Sequence, residues 1–202
     1  MKKACTGVLG GSFNPIHFGH IELAVKAHTQ FDLPEVLLMP ISMSYYKDLS
    51  VLTESAQRLK MTELAAAECG PGFLKCSSLD IDRGGMTYTC DTIDELSLIY
   101  DEIFFIVGSD SLMYIDKWKN AGDFLKKCII VYAKRDGDTP DELLKKEEFL
   151  KENFRADIRR LEITNHPISS SQIREMIRKG EDVRGLIPRS VEEYIRDNNL
   201  YK

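Results

Sequence analysis

Short apolar runs alternate along this chain with stretches whose apolar residues recur every three or four positions. Gly7-Val8-Leu9 is the first run and reads as a strand. Ile21 to Phe31 follows with helical spacing, placing Ile21, Ala24, Val25 and His28 on one face. Val36-Leu37-Leu38-Met39 predicts a second strand, ended by Pro40. Thr53 to Cys69 predicts a helix with Thr53 as its N-cap and Gly70 as its stop. Phe73 to Leu79 reads as a strand and Asp91 to Tyr100 as a helix. Glu102-Ile103-Phe104-Phe105-Ile106-Val107 is the most apolar run and predicts a central strand covered on both sides. Cys128 to Ala133 predicts another buried strand, and Asp157 to Thr164 a more polar one. Pro140 to Phe154 reads as a solvated surface helix with Leu143, Leu144, Phe149 and Leu150 on its apolar side. Helices are expected over about Ser170 to Lys179 and Ser190 to Asn198. This alternation implies an α/β fold, a doubly wound parallel sheet with helices on both faces and a small helical C-terminal part from about residue 168. No repeat, low-complexity tract or Gly/Ser linker interrupts it, so one domain over residues 1–202 is expected.

Composition narrows the function. With 202 residues, 43% of them hydrophobic and 29% charged, the chain reads as a soluble globular protein with room for a proper core. No apolar run reaches the roughly 18 residues a membrane span needs. The opening Met1-Lys2-Lys3-Ala4-Cys5 runs straight into a strand, with no signal-peptide pattern, so a cytoplasmic setting and no membrane partner are expected. Five scattered cysteines, without a C-x-x-C pair, read as reduced core thiols. The net charge of −5 argues against a nucleic-acid polymer as partner. That charge is uneven. Residues 155–202 carry 10 Lys/Arg against 8 Asp/Glu, while the rest of the chain carries 17 against 24. A locally positive C-terminal part in an acidic protein suits a small anionic ligand.

One stretch concentrates the chemistry: Gly10-Gly11-Ser12-Phe13-Asn14-Pro15-Ile16-His17-Phe18-Gly19-His20, between the first strand and the first helix. Gly10, Gly11 and Gly19 let backbone approach a ligand without a Cβ in the way. Pro15 stiffens the turn. His20 falls near the first turn of the helix, where free N–H groups and the dipole favour an anion, and His17 can aim at the same spot. A lone histidine or a Gly-Gly pair means little, but this combination at a strand–helix junction makes a phosphate site. It is neither the G-x-G-x-x-G fingerprint nor a P-loop. A second candidate is Ile168-Ser169-Ser170-Ser171-Gln172-Ile173-Arg174, where serines cap a helix and Arg174, one turn in, can fork onto phosphate oxygens.

Gly11 to His20 resembles the [ST]-F-[DN]-P-x-H-x-G-H signature of the nucleotidylyltransferase superfamily, and Ile168 to Arg174 resembles the I-S-S-[ST]-x-I-R motif that partners it in adenylyltransferases. Arg83-Gly84-Gly85-Met86-Thr87-Tyr88-Thr89-Cys90-Asp91-Thr92 is similar to the R-x-G-x-S-Y-T-x-D-T block of bacterial nicotinate-nucleotide adenylyltransferases. Phe105 to Asp110 followed by Trp118, and the close from Leu186 to Tyr201, resemble further blocks of that family. The resemblance covers essentially the whole chain and implies a Rossmann-like fold. It implies that Gly10, Gly11, Ser12, Phe13, His17, Gly19, His20, Lys47, Gly108, Asp110, Ile168, Ser170, Ser171 and Arg174 bind ATP, with Ile168 lining the adenine pocket and His20 nearest the transferred phosphorus. It makes His20, His17 and Arg174 the catalytic set. Thr87, Tyr88, Thr89, Asp110, Trp118 and Lys119 would hold nicotinate mononucleotide, Trp118 stacking on the pyridine and Asp110 taking ribose hydroxyls. One block departs: where the family often has Pro-Pro-His-Lys, this chain reads Ser44-Tyr45-Tyr46-Lys47, and only Lys47 carries over.

The chemistry implied is in-line attack of the mononucleotide 5′-phosphate on the α-phosphorus of ATP, yielding nicotinate adenine dinucleotide and pyrophosphate. No serine or cysteine has a base beside it in sequence, so no covalent intermediate is expected. Mg²⁺ should arrive with ATP, held by phosphates and water, with no dedicated protein metal site. A phosphopantetheine adenylyltransferase shares both phosphate motifs but not the Arg83–Thr92 block and Trp118. A non-catalytic nucleotide sensor would be expected to lack a motif histidine.

Overall fold

The computed structural model describes residues 3–43, 53–134, 139–163 and 168–202. The apolar runs become strands β1 (Lys3–Gly11), β2 (Val36–Pro40), β3 (Leu74–Cys76), β4 (Tyr100–Gly108), β5 (Ile129–Ala133) and β6 (Asp157–Leu161). They pair in parallel throughout, in the order β3-β2-β1-β4-β5-β6. Alternate residues of each strand feed two separate cores, as the pleat requires. Leu38, Leu9, Phe104, Ile106 and Val131 point to one side; Leu37, Val8, Phe105, Val107 and Ile130 point to the other.

Helices α1 (Phe18–Gln30), α2 (Ser55–Cys69), α8 (Ser170–Lys179) and α9 (Arg189–Asp197) cover the first face, through Ile21, Ala24, Met61, Ala65, Ile173, Val191 and Ile195. The second face is covered by α4 (Thr89–Leu96), α5 (Ser109–Tyr114), α6 (Ala121–Phe124) and α7 (Pro140–Phe154), with the short α3 (Leu79–Arg83) leading into α4. The sheet is therefore α/β, Rossmann-like and doubly wound. The C-terminal helices α8 and α9 share the core of the first face. Strand order reverses between β1 and β4, and the crevice beyond their C-terminal ends is where such sheets bind ligands.

Several boundaries differ from the sequence expectation. Helix α2 begins at Ser55, with Glu54 at the cap position; the Thr53 N–H instead donates to Asn14 Oδ1 at 3.3 Å. Gly70 ends that helix at φ −153°, so no left-handed turn is involved. A Cβ there would sit 2.4 Å from Leu74 Cγ, and close packing is what demands glycine. The strand expected over Phe73 to Leu79 stops at Cys76 and gives way to α3; β6 ends at Leu161, and Thr164 lies outside the described residues. The apolar side expected for α7 is split. Leu143 and Leu150 are buried, whereas Leu144 and Phe149 are 50% and 41% exposed.

Candidate active site

β1 runs on to Gly11, so both Gly10 and Gly11 belong to the strand rather than to the turn. An added Cβ at Gly10 would meet only ordinary contact, Phe105 Cε2 at 3.9 Å. At Gly11 it would lie 2.7 Å from the Phe13 ring, and at Gly19 it would lie 3.1 Å from His17 Nδ1. These two glycines make room for the motif's own rings, a different reason from ligand approach. Phe13 sits at φ +45°, a rare conformation for a bulky residue, and is held there by burial.

His17 is the N-cap of α1 and His20 its third residue. Their rings stack with centroids 3.7 Å apart and 29° between planes, and Phe13 meets His20 edge-on at 4.9 Å. The His17 N–H donates to His20 Nδ1 at 3.3 Å, which orients the second imidazole. The open helix N-terminus expected from sequence is partly taken: the Phe18 N–H donates to Leu186 O at 2.9 Å and the His20 N–H to His17 O at 2.9 Å. The paired rings, rather than a bare helix end, dominate this wall.

The second phosphate motif folds onto the first. Ser169 caps α8, its Oγ accepting from the Gln172 N–H at 3.2 Å. Ser170 Oγ donates to Pro15 O at 2.9 Å, and Arg174 Nη1 donates to Asn14 O at 2.8 Å. Arg174 Nη2 reaches Ser171 Oγ at 3.4 Å. Arg174 Nε and the Ser12 hydroxyl are buried and have no hydrogen-bond partner among the described residues. Burial pushes the Arg174 pKa down, with Tyr201 opposing and Arg178 reinforcing the shift. Ile168 lies beside Gly19 and lines, with Ser169, Ile173, Met176 and Leu186, a cavity of about 420 Å³.

Gly108 ends β4 and Asp110 is the second residue of α5. Because Leu9 is in register with Ile106, they are neighbours of the motif loop across the strand-order reversal. The 87–89 turn is drawn to the same edge. The Ser42 N–H donates to Thr87 Oγ1 and the Thr87 N–H to Met43 O, each at 3.1 Å, just past the end of β2. Tyr88 precedes α4 and Thr89 begins it. The Lys119 ammonium lies 3.7 Å from the Tyr88 ring centre and 3.7 Å from Asp91 Oδ2, joining this turn to the Trp118 segment. Trp118 is half-buried against Phe105 and Phe124, with ring centres 6.3 and 6.2 Å away. Of the residues singled out from sequence, Lys47, together with Ser44, Tyr45 and Tyr46, lies outside the described residues.

Sequence reasoning missed three residues around the loop. Asn14 is its junction: Oδ1 accepts from the Thr53 N–H and from the Tyr201 hydroxyl at 2.8 Å, while its carbonyl accepts from Arg174. Tyr201 closed a quoted motif without a role. Arg58 is fully buried beside Ser12. Its signal was present, because Arg58 shares a helical stripe with Met61, Thr62 and Ala65, where an arginine has no place unless paired.

Among the described residues, no group of three or more His, Cys, Asp or Glu is placed to hold a metal ion, and no helix is long and apolar enough to cross a membrane. All five cysteines are free; burial pushes Cys69 to about 11 and Cys76 and Cys128 to about 12, which keeps those thiols protonated.

Residues 8–176 match the cytidylyltransferase-like family. A protein of Lachnoclostridium phytofermentans named as a probable nicotinate-nucleotide adenylyltransferase is 38% identical over 96% of this chain and 98% of its own length. One of Carboxydothermus hydrogenoformans with the same name is 38% identical over 100% of both chains. Among solved structures, the nicotinic acid mononucleotide adenylyltransferase of Plasmodium falciparum, complexed with NaAD, superposes with a TM-score of 0.75 at 22% identity, covering 98% of this chain and 97% of that one; it shares the fold. By its motifs, its doubly wound sheet and these relatives, the chain belongs to the nicotinate-nucleotide adenylyltransferase family of cytidylyltransferase-like proteins.

Proposed function

We propose that this protein transfers AMP from ATP to nicotinate mononucleotide, giving nicotinate adenine dinucleotide and pyrophosphate. The observation that carries this reading is the convergence on one loop of the stacked His17–His20 pair and Arg174, at the point where strand order reverses. Arg174 Nε, a donor only, and the Ser12 hydroxyl are buried there with no partner among the described residues, which favours an acceptor-only anion such as a triphosphate. An oxygen of the mononucleotide 5′-phosphate forms the new bond to the α-phosphorus; the bond from that phosphorus to the β-bridging oxygen breaks, and pyrophosphate carries the electron pair away. The attacking phosphate is already an anion, so no general base is required. His20 donates to the α-phosphoryl oxygens as charge develops, and His17 and Arg174 hold the leaving end. Gly10, Gly11, Ser12, Phe13, Gly19, Ser170, Ser171 and Gly108 frame the triphosphate, and Ile168 lies against adenine. Thr87, Tyr88, Thr89, Trp118 and Lys119 form the acceptor wall, with Asp110 on ribose hydroxyls. Mg²⁺ accompanies ATP and neutralises phosphate charge, its ligands being phosphate and water oxygens. A cytoplasmic setting belongs to the same reading and is supported by five unpaired cysteines.

The test is a steady-state assay of pyrophosphate release with ATP and, separately, nicotinate mononucleotide, nicotinamide mononucleotide and phosphopantetheine. Turnover with nicotinate mononucleotide, and formation of the dinucleotide, is expected. Turnover only with phosphopantetheine would transfer the chain to the sister activity, and release with none of them would leave a nucleotide-binding protein without catalysis.

A further inference from the structure

Arg58 is the largest of the fully buried side chains, 1% exposed. A guanidinium in such a place normally faces a carboxylate. Among the described residues, Arg58 has only backbone carbonyls: Nη1 donates to Ser12 O at 2.8 Å, Nη2 to Ser42 O at 2.9 Å and Nε to Thr53 O at 3.0 Å. Three separate segments are thus tied to one planar fork, a geometry lysine cannot reproduce. One of the three is the motif loop itself. In a trans peptide the N–H points opposite to the C=O, so holding the Ser12 carbonyl inward turns the Phe13 amide away from Arg58. The same loop carries Phe13 in its left-handed conformation and Asn14 under Arg174. Burial also pulls the Arg58 pKa down, with Tyr201 the group opposing that shift. A cation kept in low dielectric, with no carboxylate bonded to it among the described residues, raises the local potential where an anion is to bind.

We propose that Arg58 is a positioning residue for nucleotidyl transfer, fixing the Ser12–Phe13 peptide so that the loop meets the triphosphate ready-formed. It touches neither substrate; it acts through the loop. The inference rests on the reading above that this loop receives ATP. It predicts a defect that falls more heavily on ATP and on turnover than on the acceptor, because Arg58 holds the motif loop directly through Ser12 O and reaches the acceptor wall one residue removed, through Ser42, whose N–H donates to Thr87 Oγ1.

The test compares the full-length wild type with Arg58→Lys and Arg58→Gln, each assayed at a temperature where circular dichroism shows it folded. For Arg58→Lys, kcat/KM for ATP is expected to fall at least about tenfold, as loss of charged hydrogen bonds implies. KM for nicotinate mononucleotide should rise by a clearly smaller factor, because the fork reaches Thr87 one residue removed, through Ser42. Calorimetric affinity for ATP alone, measured without the acceptor, should fall in parallel. Unchanged ATP constants in a folded variant overturn the proposal, and so does an equal rise in both KM values, which would mark general loosening. If Arg58→Gln fails to fold, Arg58→Lys decides; if that also fails to fold, Arg58 is a folding residue and the proposal is wrong. A wild type that binds ATP but never adenylates the mononucleotide would sink the reading of function while leaving the ATP-affinity comparison intact.

Discussion

The two walls of the crevice are built in different ways. The loop from Ser12 to Asn14 is almost wholly buried, and its Ser12 and Asn14 carbonyls and the Asn14 side chain are held by Thr53, Arg58, Arg174 and Tyr201, from 39 to 187 residues away in sequence. The wall of Thr87, Tyr88, Thr89, Trp118 and Lys119 is half-buried or exposed. It is joined by a lysine over a tyrosine ring, an ion pair between side chains 47% and 41% exposed, and two hydrogen bonds to residues 42 and 43. Contacts of the second kind are individually weak and screened by solvent. A pre-organised wall stabilises charge that develops in the transition state; a looser, aromatic wall binds a flat ring similarly in ground and transition states. Substitutions in the first should therefore act through kcat or through KM for ATP, and substitutions in the second should raise KM for the acceptor.

The largest effect is expected at His20. If it donates to the α-phosphoryl oxygens, His20→Ala should lower kcat by roughly 10²–10³ with little change in melting temperature. Turnover within about threefold of wild type would remove His20 from the mechanism and blur the contrast between the walls. Arg174→Ala should come next. It removes the hydrogen bond to Asn14 O and a cation proposed for the triphosphate, so KM for ATP should rise roughly 10- to 100-fold. Initial rates over a range of ATP concentrations measure it; a rise in acceptor KM alone would assign Arg174 to the other wall. Trp118→Ala is the complementary probe, with acceptor KM expected to rise roughly tenfold and kcat to hold within about threefold. An unchanged acceptor KM would mean that the ring only packs against Phe105 and Phe124.

The walls also differed in how far sequence revealed them. Both phosphate motifs are contiguous, so glycine, histidine and serine at fixed offsets are visible in one line of residues. Strand and helix order followed from periodicity, and the central place of Glu102 to Val107 followed from its unbroken apolar run. What sequence could not show was the loop's support. Thr53, Arg58 and Tyr201 meet Asn14 and Ser12 only because α2 and the chain's last turn pack on the same face of the sheet. Such convergence is a property of the three-dimensional fold, and no local pattern encodes it. The glycines were legible as necessary but not in their reason: Gly11 and Gly19 yield space to Phe13 and His17. On the other wall, the link between Tyr88 and Lys119 joins positions 31 apart, and only the resemblance had placed them in one site.

The smallest effect, and the sharpest probe of the bracing, lies at Tyr201. Its hydroxyl donates to Asn14 Oδ1, and burial pushes its pKa up to about 12, with Arg174 and Arg58 pulling the other way. The unfolded chain releases the same proton near 10. The folded state thus keeps a proton that the unfolded state has lost, and this group's contribution is fully present below about pH 10 and disappears as pH rises through about 12. Tyr201→Phe should cost about 1 kcal/mol at pH 7, the worth of one hydrogen bond. Because phenylalanine cannot ionise, the gap between variant and wild type should narrow from pH 10 upward. Tyr100 and Tyr132, also raised to about 12, titrate in both proteins and cancel from the difference. Chemical denaturation at pH 7, 9, 10 and 11 measures that gap. A gap constant with pH would mean that the hydroxyl is solvated in the folded state and that the loop is braced by Thr53, Arg58 and Arg174 without it.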